Sequence, residues 1–364
     1  MTDIAKGKQE NTMISQLTSA HLEEAAKRAT AWLAAQQTEI GNYRGNDEPV
    51  DGVYPDTDDI GCYYKSVYTL RATGQSAAAA KMMSYVVKRF RSPQGDYFNT
   101  PDVRSSGSYG PVFCQLYQNA WLMRGAAALY WFGLMQDMIG FINTQREPEF
   151  GGYYTHVNST TGIMDSNSIA VGAYCCILAG QYEKAKQSCD LLLRMLENQQ
   201  DEGILWSRAT KDGTLITDLS DVPEKNRNYV RVSATDPKQA YWIWAWPMNE
   251  MIAVYELFGE QKYLDAAIQI FDFLANSHEN AFGFTTSGKN AWGAAKLYRL
   301  TGDRRYLDRA MLQMRYILDH QHADGYMLGE GVADESSQPK RTTFDFTADF
   351  TSWLIDVAAE MEAR

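Results

Sequence analysis

The run Asp56-Thr57-Asp58-Asp59 sets three carboxylates within four consecutive positions. Crowded carboxylates cannot all ionise freely, so one of them can hold its proton near neutral pH and hand it to a substrate. Asp56, Asp58 and Asp59 are the candidates for that chemistry. The same residues also suit a helix N-terminus, where free backbone N–H groups and the dipole favour the ionised form. A cap without chemistry, a proton donor and a polar contact to substrate are therefore all open readings. Tyr64, His156 and Asp345 are candidates to take a proton back. His156, in the loop YYTHVNST, is either a base that works near neutral pH or a hydrogen-bonded structural residue.

Lys65 and Lys289 fall in segments that are otherwise nearly uncharged. A buried lysine needs a carboxylate partner, or it contacts an anion or substrate oxygen. Candidate binding residues around them are Asp56, Tyr117, Trp121, Asn167, Gln239, Tyr241, Trp242, Trp246 and Trp292. In the run YWIWAW at 241–246, one helix cannot bury every ring in its core contact, so some rings face a ligand. Aromatic faces stack on sugars and stabilise carbocations equally well, and they also simply pack helices together.

The five cysteines show no CxxC or Cys/His ligand spacing and read as reduced core residues, so no metal is expected. Neither a Gly-rich phosphate loop nor a dinucleotide fingerprint occurs, and no cofactor is expected. With 45 acidic against 34 basic residues the net charge is −11, and no long basic run is present. Nucleic acid and anionic membrane surfaces are poor partners for such a chain. No stretch approaches the roughly 18 apolar residues of a membrane helix, and the first fifteen residues lack the apolar region of a signal peptide. The expectation is a cytoplasmic protein that binds a small molecule; its oligomeric state is open.

The elements that must position these residues follow from apolar spacing of three and four. Twelve helices are predicted, over 18–37, 58–73, 75–91, 113–130, 131–145, 166–180, 181–199, 237–258, 260–277, 289–301, 303–321 and 345–362. Gly74, Gly180, Gly259 and Gly302 end helices and open tight junctions, which force antiparallel hairpins. The longer connections carry a repeated turn: GNY at Gly41, GDYF at Gly95, GGYY at Gly151, GIL at Gly203, FGF at Phe282 and GYM at Gly325. Short and long connections alternate. Six hairpins that close on themselves bury every helix face, which predicts an all-α fold, an (α/α)6 toroid with an inner and an outer ring of six helices. The inner helices begin at the long-loop end, where a ligand chamber should open. Residues 1–17 are expected to be disordered or extended, and 18–364 to form one toroid domain. Within 200–236, ILWS and GTLITDL predict a small β-hairpin, and this loop and 322–344 are candidate lids.

Three outer helices end in a shared pattern: Trp32-Leu33-x3-Gln37-x3-Gly41-x-Tyr43, Tyr316-Ile317-x3-Gln321-x3-Gly325-x-Met327 and Met195-Leu196-x3-Gln200-x2-Gly203-x-Leu205. It resembles the Gln–Trp repeat of terpenoid cyclase and protein prenyltransferase toroids, with the last Trp replaced. Asp56–Asp59 is similar to the DxDD motif of class II terpene cyclases. That resemblance implies a cofactor-independent isomerase or cyclase that protonates, from Asp58, a largely apolar oxygenated small molecule such as an isoprenoid or polyketide-type metabolite. Helix–Gln–Gly–aromatic turns also resemble those of six-hairpin glycosidases and sugar epimerases. The alternatives are thus a carbohydrate-active enzyme (glycosidase, uronate lyase or sugar epimerase), with paired carboxylates sharing acid and base duties, and a non-catalytic binding toroid.

Overall fold

The computed structural model describes residues 17–99, 114–155 and 162–364. Within them run α1 (Ser19–Ala35), α2 (Ser66–Ala72), α3 (Ser76–Phe90), α4 (Cys114–Ala128), α5 (Phe132–Thr144), α6 (Ser166–Leu178), α7 (Tyr182–Glu197), α8 (Trp242–Phe258), α9 (Gln261–Ala275), α10 (Gly288–Thr301), α11 (Arg304–Asp319) and α12 (Lys340–Glu362). The even-numbered helices pack side by side in order, and α12 returns to α2, so the inner ring is closed. The last inner helix, α12, pairs with α1, the first outer one, and completes the sixth hairpin. The molecule is an (α/α)6 toroid.

Burial follows this placement. Helix α6 is buried at every position from Ser166 to Cys176, as an inner helix enclosed by neighbours must be. Outer helix α11 buries only a stripe at spacing three and four, including Tyr306, Ala310, Met314 and Ile317. One apolar core runs continuously around the ring, and Cys62, Cys175, Cys176 and Cys189 lie in it as free thiols.

The repeated turn does two jobs. In four of the long connections a residue one or two positions after the helix pairs with one beyond the glycine: Gln37 with Tyr43, Arg91 with Tyr97, Arg146 with Tyr153 and Gln321 with Met327. The Gln37 amide then donates to its own turn at Gly41 O and to Ala78 O at the start of α3. Gln321 does the same to Gly325 O and to Ala25 O of α1. Each glutamine thus laces one outer helix to the next. Gly41 and Gly325 have φ of +101° and +108°, and an added Cβ would lie 2.5 Å from the carbonyl oxygen of Lys81 or Arg28. Only glycine satisfies both demands. In the third copy, Gln199 rather than Gln200 makes the bonds, donating to Met195 O and Trp206 O.

Three sequence expectations are corrected. Helix α2 starts at Ser66, not 58, because Asp59 caps a short 3-10 turn at Ile60–Cys62 and Asn99 takes the Ile60 N–H at 2.6 Å. Helix α12 starts five residues early, at Lys340 behind Pro339, which has no N–H to lose at that boundary. The segment β2 (Ile204–Trp206) pairs not with GTLITDL but with β4 (Arg231–Ser233), while β1 (Met164–Asp165) pairs with β3 (Arg208–Ala209). Leu205 opposite Val232 buries two apolar side chains in the main core, whereas Thr214 and Thr217 stay exposed. No helix among the described residues is long and apolar enough to cross a membrane.

Candidate active site at the mouth of the ring

Each inner helix turns one stripe toward the ring axis, and the helical period stacks that stripe into layers. Read from the long-loop end, the stripe is Tyr117, Trp121, Arg124 on α4; Trp242, Trp246, Glu250 on α8; Lys289, Trp292, Lys296 on α10; and Asp349, Trp353, Asp356 on α12. Lys65 and Tyr68 continue it at α2, and Asn167 and Tyr174 at α6.

The first layer is polar. The ammonium of Lys65 lies 2.9 Å from Asp345 Oδ1 and 2.8 Å from Asp349 Oδ1. Asp349 Oδ2 also accepts from the Trp353 indole N–H at 3.1 Å. Burial alone would pull the Lys65 ammonium down, but the two aspartates outweigh it and hold it well above the ordinary lysine value. Burial would raise Asp349, yet Lys65 and then Lys289 win and keep it below the usual carboxylate range. Tyr64 lies edge-on to Tyr117 with ring centroids 6.0 Å apart, and burial pushes its phenol well up, with Asp345 adding to the rise. At neutral pH this layer therefore holds a protonated phenol and a protonated amine beside ionised Asp349.

The second layer is a plug of indoles. Trp121, Trp246, Trp292 and Trp353 contact one another in a closed cycle, with centroids 5.5 to 6.4 Å apart. All four are buried. These rings pack on one another between the first layer and the charged groups beyond it.

The third layer, beyond the plug, is ionic. Arg124 Nη2 and the Tyr68 hydroxyl both reach Asp356 Oδ1 at 2.6 Å. The Arg124 guanidinium lies 3.6 Å over the Tyr68 ring, and Lys296 Nζ lies 3.7 Å over Trp292. Among the described residues, neither carboxyl oxygen of Glu250 has a hydrogen-bond partner. Burial pushes Glu250 up to about 8 against the pull of Lys296 and Arg124, and burial also lowers Lys296. Sequence reasoning missed Arg124, Glu250, Lys296 and Asp356. The signal was available: each follows a named aromatic by three or four positions.

The aspartate run faces elsewhere. Asp56 accepts from the Asn46 N–H at 2.8 Å. Both oxygens of Asp58 accept from Arg89 at the end of outer helix α3, its Nε at 2.9 Å. Asp59 takes the Gly61 N–H at 2.7 Å and pairs with Arg341 Nε at 3.1 Å. Arg341 also feels Asp345 and Tyr64, so Asp59 touches the rim of the first layer through it. Of the other candidates, Lys65, Tyr64, Tyr117, Trp242, Lys289 and Asp345 come together. Tyr241 is turned away and donates to Ser233 O and Asp236 O, and Gln239 accepts from the Ser233 N–H. His156 lies outside the described residues. Among those described, no group of three His, Cys, Asp or Glu could hold a metal.

The fold class is shared with several sugar-handling proteins. A family model described as the β-L-arabinofuranosidase, GH127 catalytic domain, matches residues 145–324, just under half of the chain. A solved D-mannose isomerase is similar over 92% of this chain and 97% of its own, with TM-score 0.63 and 14% identity. A family 76 glycoside hydrolase (mannosidase) from Bacteroides thetaiotaomicron VPI-5482 gives TM-score 0.59 and 14% identity over 92% and 98% of the two chains. A type II terpene cyclase from Scytonema, in complex with merosterolic acid A, gives 0.55 and 13% over 94% and 98%. No protein of curated function matches the sequence.

Proposed function

We propose that this chain is a carbohydrate-active enzyme that performs acid–base chemistry on a sugar held in the first layer. The observation that carries the reading is the match of residues 145–324 to a glycosidase catalytic domain, on a fold shared with a mannose isomerase and a mannosidase. This favours the sugar alternative over cyclisation of an isoprenoid. The site fits it chemically. Tyr64, kept protonated by burial, is the hydrogen donor to a sugar oxygen, and Asp345, whose side chain is 15% exposed, is the proton acceptor. Asp58 is not given the donor role because both its oxygens accept from Arg89. Lys65 holds Asp345 and Asp349 in place, and Tyr117 and Trp242 border the same layer as the aromatic surface that a pyranose ring would meet.

Both aspartates lie on one side of the site, bound to a single nitrogen. A hydrolase that flanks its bond with two carboxyls is arranged differently, and this favours isomerisation or epimerisation of a free sugar as the second reading. The test is a panel of aryl glycosides and free aldoses followed by NMR, with Asp345→Asn beside the native chain. Turnover of a sugar, reduced about 100-fold or more in Asp345→Asn while the chain still folds and melts cooperatively, is expected. A native chain that neither turns over nor is thermally stabilised by any sugar would refute the proposal.

A further inference from the structure

The two first-layer lysines are not equivalent. Lys65 is saturated by Asp345 and Asp349. Lys289 is equally buried, at 5% exposure, yet its ammonium makes no hydrogen bond and no ion pair among the described residues. Its ammonium faces only rings: Trp353 at 5.0 Å, Tyr117 at 5.5 Å and Trp242 at 5.8 Å. Asp349, whose carboxyl Lys289 influences, has its oxygens turned to Lys65 and the Trp353 N–H. Ring faces attract a cation but return only part of its lost hydration, and they accept none of its N–H bonds in the way an oxygen would. A second buried group on the axial stripe is also unpartnered. Asn167, fully buried, leaves both its amide nitrogen and its amide oxygen without a partner among the described residues. Seven residues, two helical turns, separate it from Tyr174, which contacts the plug at Trp246 with centroids 5.4 Å apart, so Asn167 shares that axial face.

We infer that Lys289 is the anchor for an anionic oxygen of the substrate, and that the substrate class is an acidic sugar, a hexuronate, with Asn167 donating a second hydrogen bond. The inference rests on the carbohydrate reading. An ammonium among aromatic faces gives a carboxylate its counter-charge while the rings hold the pyranose, a geometry that a neutral hexose would leave uncompensated.

The experiment compares sugars that differ only at C6: glucuronate with glucose, and galacturonate with galactose. Thermal shift is read on the full chain at low and high salt. The uronates are expected to raise the melting temperature by several degrees at millimolar concentration, less in high salt, and their neutral parents to have little effect. Lys289→Met is expected to abolish the uronate shift. Equal shifts from acid and parent, or a uronate shift retained in Lys289→Met, would overturn the inference. The native chain alone decides the first comparison, so it holds even if the variant fails to fold. A shift from neutral sugars only refutes the anchor and leaves the carbohydrate reading standing. No shift from any sugar, with no turnover, removes both.

Discussion

Glu250 shows how far burial alone can move a side chain's chemistry. It sits in the middle of an apolar helix, 1% exposed, and its nearest compensating charges are Lys296 and Arg124. Its folded value of about 8 lies above the ordinary 4.5, so the folded chain holds this proton more tightly than the unfolded chain. Its contribution to stability is therefore complete below about pH 4.5 and is lost as pH rises through about 8. Lys296, lowered by burial, runs the other way, and its contribution is lost as pH falls through its depressed value. Because Lys296 opposes it, the Glu250 effect is read as a difference: between pH 7 and pH 9 the native chain should lose more melting temperature than a variant without this carboxyl. Glu250→Gln, which cannot ionise, should lose much less. Parallel melting curves for the two proteins across that range would show that Glu250 is not protonated at neutral pH.

At the scale of elements, close approach governs what the helices tolerate. Gly172 of α6 lies against the Tyr153 ring, and an added Cβ would fall 2.2 Å from it. Tyr153 is itself fully buried, with its hydroxyl 3.1 Å from Cys176 Sγ, so it has nowhere to retreat. Gly172→Ala should cost about 1–3 kcal/mol by overpacking. On outer helix α5, Gly133 and Gly140 would present a Cβ to nothing within 4 Å. There the same substitution should stabilise by about 0.5–1 kcal/mol, through helix propensity alone. Chemical denaturation of the three variants reads both signs, and a common sign would mean that neighbour contact does not control these sites.

For the whole molecule, the seam between α11 and α1 is where the two ends of the chain meet in the outer layer. Gln321 spans it, donating to Ala25 O at 2.8 Å and accepting from Arg28 Nη2 at 2.6 Å. Gln321→Ala leaves the Ala25 carbonyl without this donor and should cost about 1–3 kcal/mol. The loss should be local, since α1 is joined to its neighbours at the seam by contacts distant in sequence. Hydrogen exchange should quicken in α1 while α6 stays protected. Uniform acceleration across the ring would instead mark the seam as no weaker than the rest.

The ring itself was legible in the linear chain because its causes are local. Apolar spacing of three and four sets each helix, Gly74, Gly180, Gly259 and Gly302 end helices, and alternating connection lengths impose the hairpins. The Gln–x3–Gly turn was legible for the same reason, since its bonds to Gly41 O and Gly325 O span four positions. The site was legible only as residue types at the right depth. What the carboxylates do was decided by partners remote in sequence: Asp58 turns to Arg89 on an outer helix, and Asp345 meets Lys65 across 280 positions. Lys65 and Lys289 read alike until the ring closes, because an ion pair forms between helices and no local spacing records which of the two lysines receives it.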